Sequence, residues 1–138
     1  MILIADSGST KTDWVLLNRQ ETATGRKEFR TRGINPVLMT KADIEALLRF
    51  ELVPHLDGQS PEELYFYGAG CREELKPKMR DAFVAALPPM PEPTWTPDPS
   101  KFGPIQRLLS FRSDLLGAAR ALCGHEEGIA CILGTGSN

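Results

Sequence analysis

Residues 2–17 read ILIADSGSTKTDWVLL. Two apolar runs, 2–5 and 13–17, flank a stretch of acidic, glycine, hydroxyl and basic residues, a spacing that predicts a β-hairpin. The polar stretch is the informative part. Gly8 allows a ligand to approach the backbone closely. Ser9, Thr10 and Thr12 set hydroxyl donors beside backbone N–H groups, and together these suit phosphate oxygens. Lys11 adds positive charge. Asp6, at the end of the first strand, suits Mg²⁺ held through water, since Mg²⁺ takes one or two carboxylates plus phosphates. The far end repeats the design. GIACIL predicts a buried strand, and it feeds GTGSN, where Gly134 and Gly136 give access and Thr135 and Ser137 give donors. Two such turns facing one another would clamp the β- and γ-phosphates of a nucleotide. One turn alone reads equally well as a plain hairpin. Neither has the G-x-x-x-x-G-K-[ST] spacing of a P-loop, and GTGSN is not a dinucleotide fingerprint.

Between the two turns, strands and helices alternate. Residues 25–36, GRKEFRTRGINP, predict a polar third strand near a sheet edge. Thr40 and Asp43 form a capping-box pair ahead of Ile44, Leu47, Leu48 and Leu52 at helical spacing, and Pro54 is expected to stop that helix. ELYFYGAGC predicts a strand ending in a glycine turn, with Gly68 and Gly70 turning the chain beside the cleft. Leu75, Met79, Phe83 and Ala86 share one face of a helix over about 73–87. Residues 88–104 hold seven of the 11 prolines and break the pattern. IQRLLSF reads as a strand and SDLLGAARALCG as a helix, capped by Ser113 and ended by Gly124. A hairpin followed by alternating strands and helices predicts a mixed α/β sheet.

Composition narrows the function classes. The chain has 138 residues, one domain's worth, with 41% hydrophobic and 25% charged residues. A net charge of −2 gives no basic footprint for nucleic acid or anionic membrane. No apolar run approaches a membrane span, and the start MILIADSG lacks the basic segment of a signal peptide, so the cytoplasm is the expected compartment. Cys71, Cys123 and Cys131 lack C-x-x-C spacing and read as small buried or structural thiols. His55 and His125 have no partners at metal-ligand spacing.

The combined blocks carry a resemblance. DSGSTKTDW and ILGTGSN are similar to the two phosphate motifs of the actin/hexokinase/Hsp70-type ATPase superfamily. With GINP, YFYGAGC, DLLGAARALCG and GIACILGTGSN, the chain most resembles the N-acetylglucosamine kinase-like group of BadF/BadG/BcrA/BcrD-type ATPases over most of 1–87 and 113–138. The resemblance implies a ribonuclease H-like domain with a mixed sheet and flanking helices, and ATP and Mg²⁺ as cofactors. It implies Asp6 as the metal-associated carboxylate, and Gly8, Ser9, Thr10, Lys11, Gly134, Thr135 and Gly136 around the phosphates. Asn35 falls where such kinases orient a sugar hydroxyl, Asn138 joins the substrate-binding set, and Asp114 falls on the catalytic carboxylate. An Asp in the first turn of a helix also reads as a cap, and an Asn before Pro as a turn residue.

Two departures accompany the resemblance. The family's proteins run to about twice this length, so the chain reads as an N-terminal domain, 1–138, whose second domain is absent, with little turnover expected alone. Residues 88–112 are atypical where a short strand should lead into Asp114, and the expectation is a local insertion or frame error. The function implied is an ATP-dependent kinase acting on N-acetylglucosamine or a related amino sugar. The expected partner is a small-molecule sugar, with no nucleic acid and no membrane, and a homodimer is allowed for the full-length protein. Two alternatives are an iron–sulfur activator ATPase of the benzoyl-CoA reductase or hydroxyacyl-CoA dehydratase type and a non-catalytic nucleotide- or sugar-binding remnant.

Overall fold

The computed structural model describes residues 1–18, 25–90 and 107–123. In chain order the elements are β1 (Ile2–Ser7), β2 (Lys11–Leu17), β3 (Arg26–Arg32), α1 (Lys41–Leu47), β4 (Glu63–Gly68), α2 (Lys76–Ala86), β5 (Leu108–Ser113) and α3 (Asp114–Cys123). The strands form one mixed sheet in the order β3-β2-β1-β4-β5. The two hairpins are antiparallel, and β4 and β5 run parallel to β1.

Side-chain alternation along each strand builds the core. Leu3, Ala5 and Ser7 of β1 point to one face with Thr12, Trp14 and Leu16 of β2 and Leu64 and Phe66 of β4, all buried. Helices α1 and α2 cover this face. Phe83 of α2 is fully buried, its ring 5.7 Å from Phe66, 6.4 Å from Trp14 and 5.3 Å from Phe111. Burial of such a ring contributes about 1.5–3 kcal/mol. The one polar atom of Trp14 is satisfied by Thr31, whose Oγ1 accepts from Nε1 at 2.9 Å. Helix α3 packs on the opposite face. Gly117 lies so close to Tyr67 that a Cβ there would come within 2.9 Å of the tyrosine Cβ.

The capping box is present. Thr40 Oγ1 accepts from the Asp43 N–H at 3.2 Å, and Asp43 Oδ2 accepts from the Thr40 N–H at 3.0 Å. The stop at Pro54 is not. Helix α1 passes into a π-helical turn (Leu48–Leu52) and a 3₁₀ turn (Val53–Leu56) that has Pro54 near its start. A proline is tolerated in a first turn because its missing N–H would have had no intrahelical acceptor. The chain leaves that turn at Asp57, in the left-handed region with φ 52°.

The strand expected ahead of Asp114 is also present. β5 pairs with β4 from Glu63↔Leu108 to Gly68↔Ser113 and buries Phe111. Residues 108–113 are therefore continuous with the sheet. Residues 91–106, and the predicted strand GIACIL, lie outside the described residues. Among the described residues no helix is long and apolar enough to cross a membrane.

Candidate functional site

The topology collects the candidate residues at one edge of the sheet. β1, β3, β4 and β5 all end there and β2 begins there. In open α/β sheets the ends of the parallel strands are where ligands bind. Four segments meet at this edge: the turn at 8–10, the loop at 33–36, the turn at 69–71 and the first turn of α3.

The first turn is tighter than the sequence suggested. Asp6 and Ser7 belong to β1, and Lys11, Thr12 and Asp13 to β2, in register as Asp6↔Asp13 and Ser7↔Thr12. Only Gly8, Ser9 and Thr10 lie between the strands, closed by the Gly8 N–H donating to the Lys11 carbonyl at 2.9 Å. Ser9 and Thr10 are exposed at the tip. Thr12 is corrected as a ligand donor: it is fully buried, and its hydroxyl donates to the Arg32 carbonyl at 3.0 Å. The period of two that buries Leu3 and Ala5 also buries Ser7 and Thr12. Lys11 is exposed, and its ammonium pairs with Asp13 Oδ2 at 3.1 Å. An exposed pair of this kind is worth about 0–1 kcal/mol, so it is easily redirected to a stronger anion.

Asp6 and Asp13 sit opposite each other in unlike surroundings. Asp13 accepts from Arg30 Nε at 2.5 Å and pairs with Lys11, and the Arg30 hydrogen bond above all holds its carboxyl below the usual range. Asp6 has neighbouring carboxylates instead. Its side chain is exposed by area yet partly desolvated at the strand end, and this desolvation, then the charges of Asp13 and Asp114, raises its carboxyl above the usual range, with Lys11 opposing. Asp114, one residue beyond β5, is thus brought within electrostatic reach of Asp6. Among the described residues no group of three or more His, Cys, Asp or Glu side chains could hold a metal ion by itself. The donor set fits a cation that brings its own oxygen ligands, as Mg²⁺ with phosphates does.

The cap of α3 falls to Ser113, whose Oγ accepts from the Leu116 N–H at 3.3 Å. Asp114 Oδ1 accepts from the adjacent Leu115 N–H at 3.0 Å. Asn35 does act as a turn residue. Its Oδ1 accepts from the Val37 N–H at 3.0 Å, and its carbonyl accepts from the N–H groups of Leu38 and Met39 at 3.1 and 3.0 Å. The same side chain borders the neighbouring turn. Gly70 has φ +73°, and a Cβ on it would come within 2.4 Å of Asn35 Oδ1.

Three residues at this edge escaped the sequence reading. Ser7 is fully buried, with its hydroxyl among Thr12 and both main-chain polar groups of Ile34. Gly33 lies against the first turn, where a Cβ would come within 2.4 Å of the Gly8 carbonyl oxygen. Glu51, on the π turn, accepts from the backbone N–H of Arg32 at 2.9 Å and also from that arginine's Nε. The alternation of β1 was the available signal for Ser7; the other two depend on contacts distant in sequence. Gly134, Thr135, Gly136, Ser137 and Asn138 lie outside the described residues, as do His125 and Cys131. Cys71 is buried, and burial pushes its thiol up to about 11, in keeping with a structural role. His55 stacks on Phe29 at 4.2 Å, a packing contact.

No family profile and no curated protein matches the chain. Among solved structures, the chain is similar to a crystal structure from Porphyromonas gingivalis that is assigned provisionally as an N-acetylglucosamine kinase. The two are 41% identical with a TM-score of 0.77, and the match covers 100% of this chain and 43% of that one. The chain therefore spans less than half the length of the protein it resembles. With that match, the sheet order and the flanking helices, the fold is α/β and ribonuclease H-like, of the actin-like ATPase kind.

Proposed function

We propose that this chain is the N-terminal domain of an ATP-dependent sugar kinase of the BadF/BadG/BcrA/BcrD-related group, transferring phosphate to a hydroxyl of N-acetylglucosamine or a related amino sugar. The observation that carries the reading is the register that sets Asp6, at the end of β1, and Asp114, one residue beyond β5, at the same edge of the sheet and within electrostatic reach of each other, next to the Gly8–Thr10 turn and the Asn35 loop. The 41% identity to the assigned kinase supports it.

In this reading Ser9, Thr10 and Lys11 take the outer phosphates, with Lys11 released from Asp13. Gly134, Thr135 and Gly136 supply the opposing turn. Asp6 would hold Mg²⁺ through water, and the ion when bound would supply positive charge against the phosphates. Asn35, its Oδ1 fixed by the Val37 N–H, orients the sugar, and Asn138 assists. Asp114 accepts the proton of the attacking hydroxyl. A positioned carboxylate does this when it lies within hydrogen-bond reach of that hydroxyl. The second lobe, beyond this chain, closes over the nucleotide and excludes water. The activator-ATPase alternative gains nothing from Cys71, because a buried, protonated thiol is a poor cluster ligand.

The test is ADP release by a protein carrying this chain together with a second lobe. Stimulation by N-acetylglucosamine, and its loss on Asp114→Ala, is the expected result. Release indifferent to sugar, or unchanged in the variant, would overturn the assignment.

A further inference from the structure

Ser7 stands where three of the four ligand-facing segments join. Its carbonyl accepts from the Ala69 N–H at 2.9 Å, which ties it to the turn after β4. Its hydroxyl accepts from the Ile34 N–H at 3.0 Å, lies 3.2 Å from the Ile34 carbonyl and 2.8 Å from Thr12 Oγ1. The protons can be placed. Thr12 gives its own to the Arg32 carbonyl at 3.0 Å, so Ser7 is left to donate toward Thr12 or Ile34 while Ile34 donates to it. No buried side-chain polar atom among the described residues lacks a partner. Ser7 and Ile34 are each fully buried, 27 positions apart in sequence, and they sit directly behind Gly8 and Asn35. Gly33 meets the Gly8 carbonyl with no room for a Cβ, so the two segments touch backbone to backbone. Neither the first turn nor the 33–36 loop can shift without breaking this buried set.

We propose that Ser7 is a positioning residue that locks the Gly8–Thr10 turn and the Gly33–Pro36 loop into one body, so that a phosphate ligand at the turn and a sugar at the loop preorganise each other's site. The inference rests on the functional reading above for its ligands, but the lock itself belongs to this chain alone. Ordering either segment by a ligand orders the other through Ser7, and the second ligand then meets a site already set. Such coupling is reciprocal: each ligand changes the other's affinity by one and the same factor.

Hydrogen exchange on the chain without ligand tests the lock. The Ile34 and Gly8 amides are expected to open together, and Ser7→Ala to speed both by about tenfold or more while the Leu87 amide at the end of α2 is unchanged. Thr12→Val, close in shape, serves if Ser7→Ala does not fold, and is expected to loosen the same two amides. Independent exchange of Ile34 and Gly8 in the unaltered chain, or loosening of Ile34 alone, overturns the lock. Calorimetry with Mg-ADP and N-acetylglucosamine, on a protein carrying this chain together with a second lobe, then tests the coupling. Each is expected to tighten the other several-fold, Ser7→Ala to abolish that factor, and Ser7→Thr, which keeps the hydroxyl, to restore it. An unchanged factor in Ser7→Ala overturns the coupling. Binding of neither ligand by the unaltered protein carrying both lobes overturns the functional reading and the coupling with it, while the exchange result still decides the lock.

Discussion

The last two residues of β1 point to opposite faces of the sheet and meet opposite surroundings. On the inner face Ser7, Thr12 and Thr31 are buried, and each hydroxyl has a partner within this chain. On the outer face Asp6 looks along a row of charge, with Asp13 neutralised by Arg30 and Lys11 while Asp6 itself faces Asp13 and Asp114. One face is complete. The other holds an exposed carboxylate beside two more, Asp13 and Asp114.

The comparison breaks first at Asp114. In a protein with both lobes, Asp114→Ala should lower sugar-dependent ADP release at least about 100-fold, measured by a coupled assay. Its melting temperature should hardly move, because Ser113 keeps the helix cap. A large loss of stability with activity retained would place Asp114 on the structural side of the comparison.

The inner face should fail differently. Phe83→Ala empties the space between Trp14, Phe66 and Phe111, and should cost about 3–5 kcal/mol in urea unfolding. A cost below 1 kcal/mol would mean that α2 is not seated on that face.

Asp6 sharpens the contrast by pH. Its folded carboxyl is raised, so the stability it contributes is fully present below the unfolded value near 4 and is lost as pH rises through the folded one. Asp6→Asn should therefore raise the melting temperature at neutral pH while it weakens Mg-ADP binding, a trade of function for stability. Asp13 and Glu51 run the other way. Their carboxyls are lowered, by Arg30 and by the Arg32 N–H respectively, so what they contribute is present above the unfolded value and lost as pH falls through the folded one. A melting temperature for Asp6→Asn equal to or below the parent's at pH 7 would contradict this account.

The smallest effect is the most specific. Asp13→Asn removes one like charge opposite Asp6, and the Asp6 carboxyl should titrate at lower pH by carboxyl NMR. Stability should change by no more than about 0.5 kcal/mol, since the Asp13 pairs are exposed. An unmoved Asp6 would show that burial and Asp114 set its titration without Asp13.

How far the residues announced this arrangement depended on the range of the interactions. The hairpin, the Thr40–Asp43 box, the polar edge strand and the Ser113 cap are local, carried by alternation or by residues three apart, and each is present as read. Pro54 misled because a proline that cannot continue an α-helix can still sit in the first turn of a 3₁₀ segment. Thr12 misled because residue type was weighed above phase: two positions before Trp14, it had to face inward. The meeting of Asp6 with Asp114, and of Ser7 with Ile34, spans most of the sheet or a whole hairpin. No local pattern encodes such a distance, and for the carboxylates only the resemblance pointed there.

The π turn that carries Glu51 has one more consequence, for how the molecule treats its neighbours. β3 is an outer strand of the described sheet, and an outer strand offers free N–H groups to any extended chain that drifts past. Glu51 occupies the Arg32 N–H from outside, and Arg26, Lys27, Glu28 and Arg30 line the strand with charge. Glu51, carried on the π turn, thus covers one of those N–H groups at the margin nearest the Gly33–Pro36 loop, and the charged side chains discourage pairing along the rest of the strand.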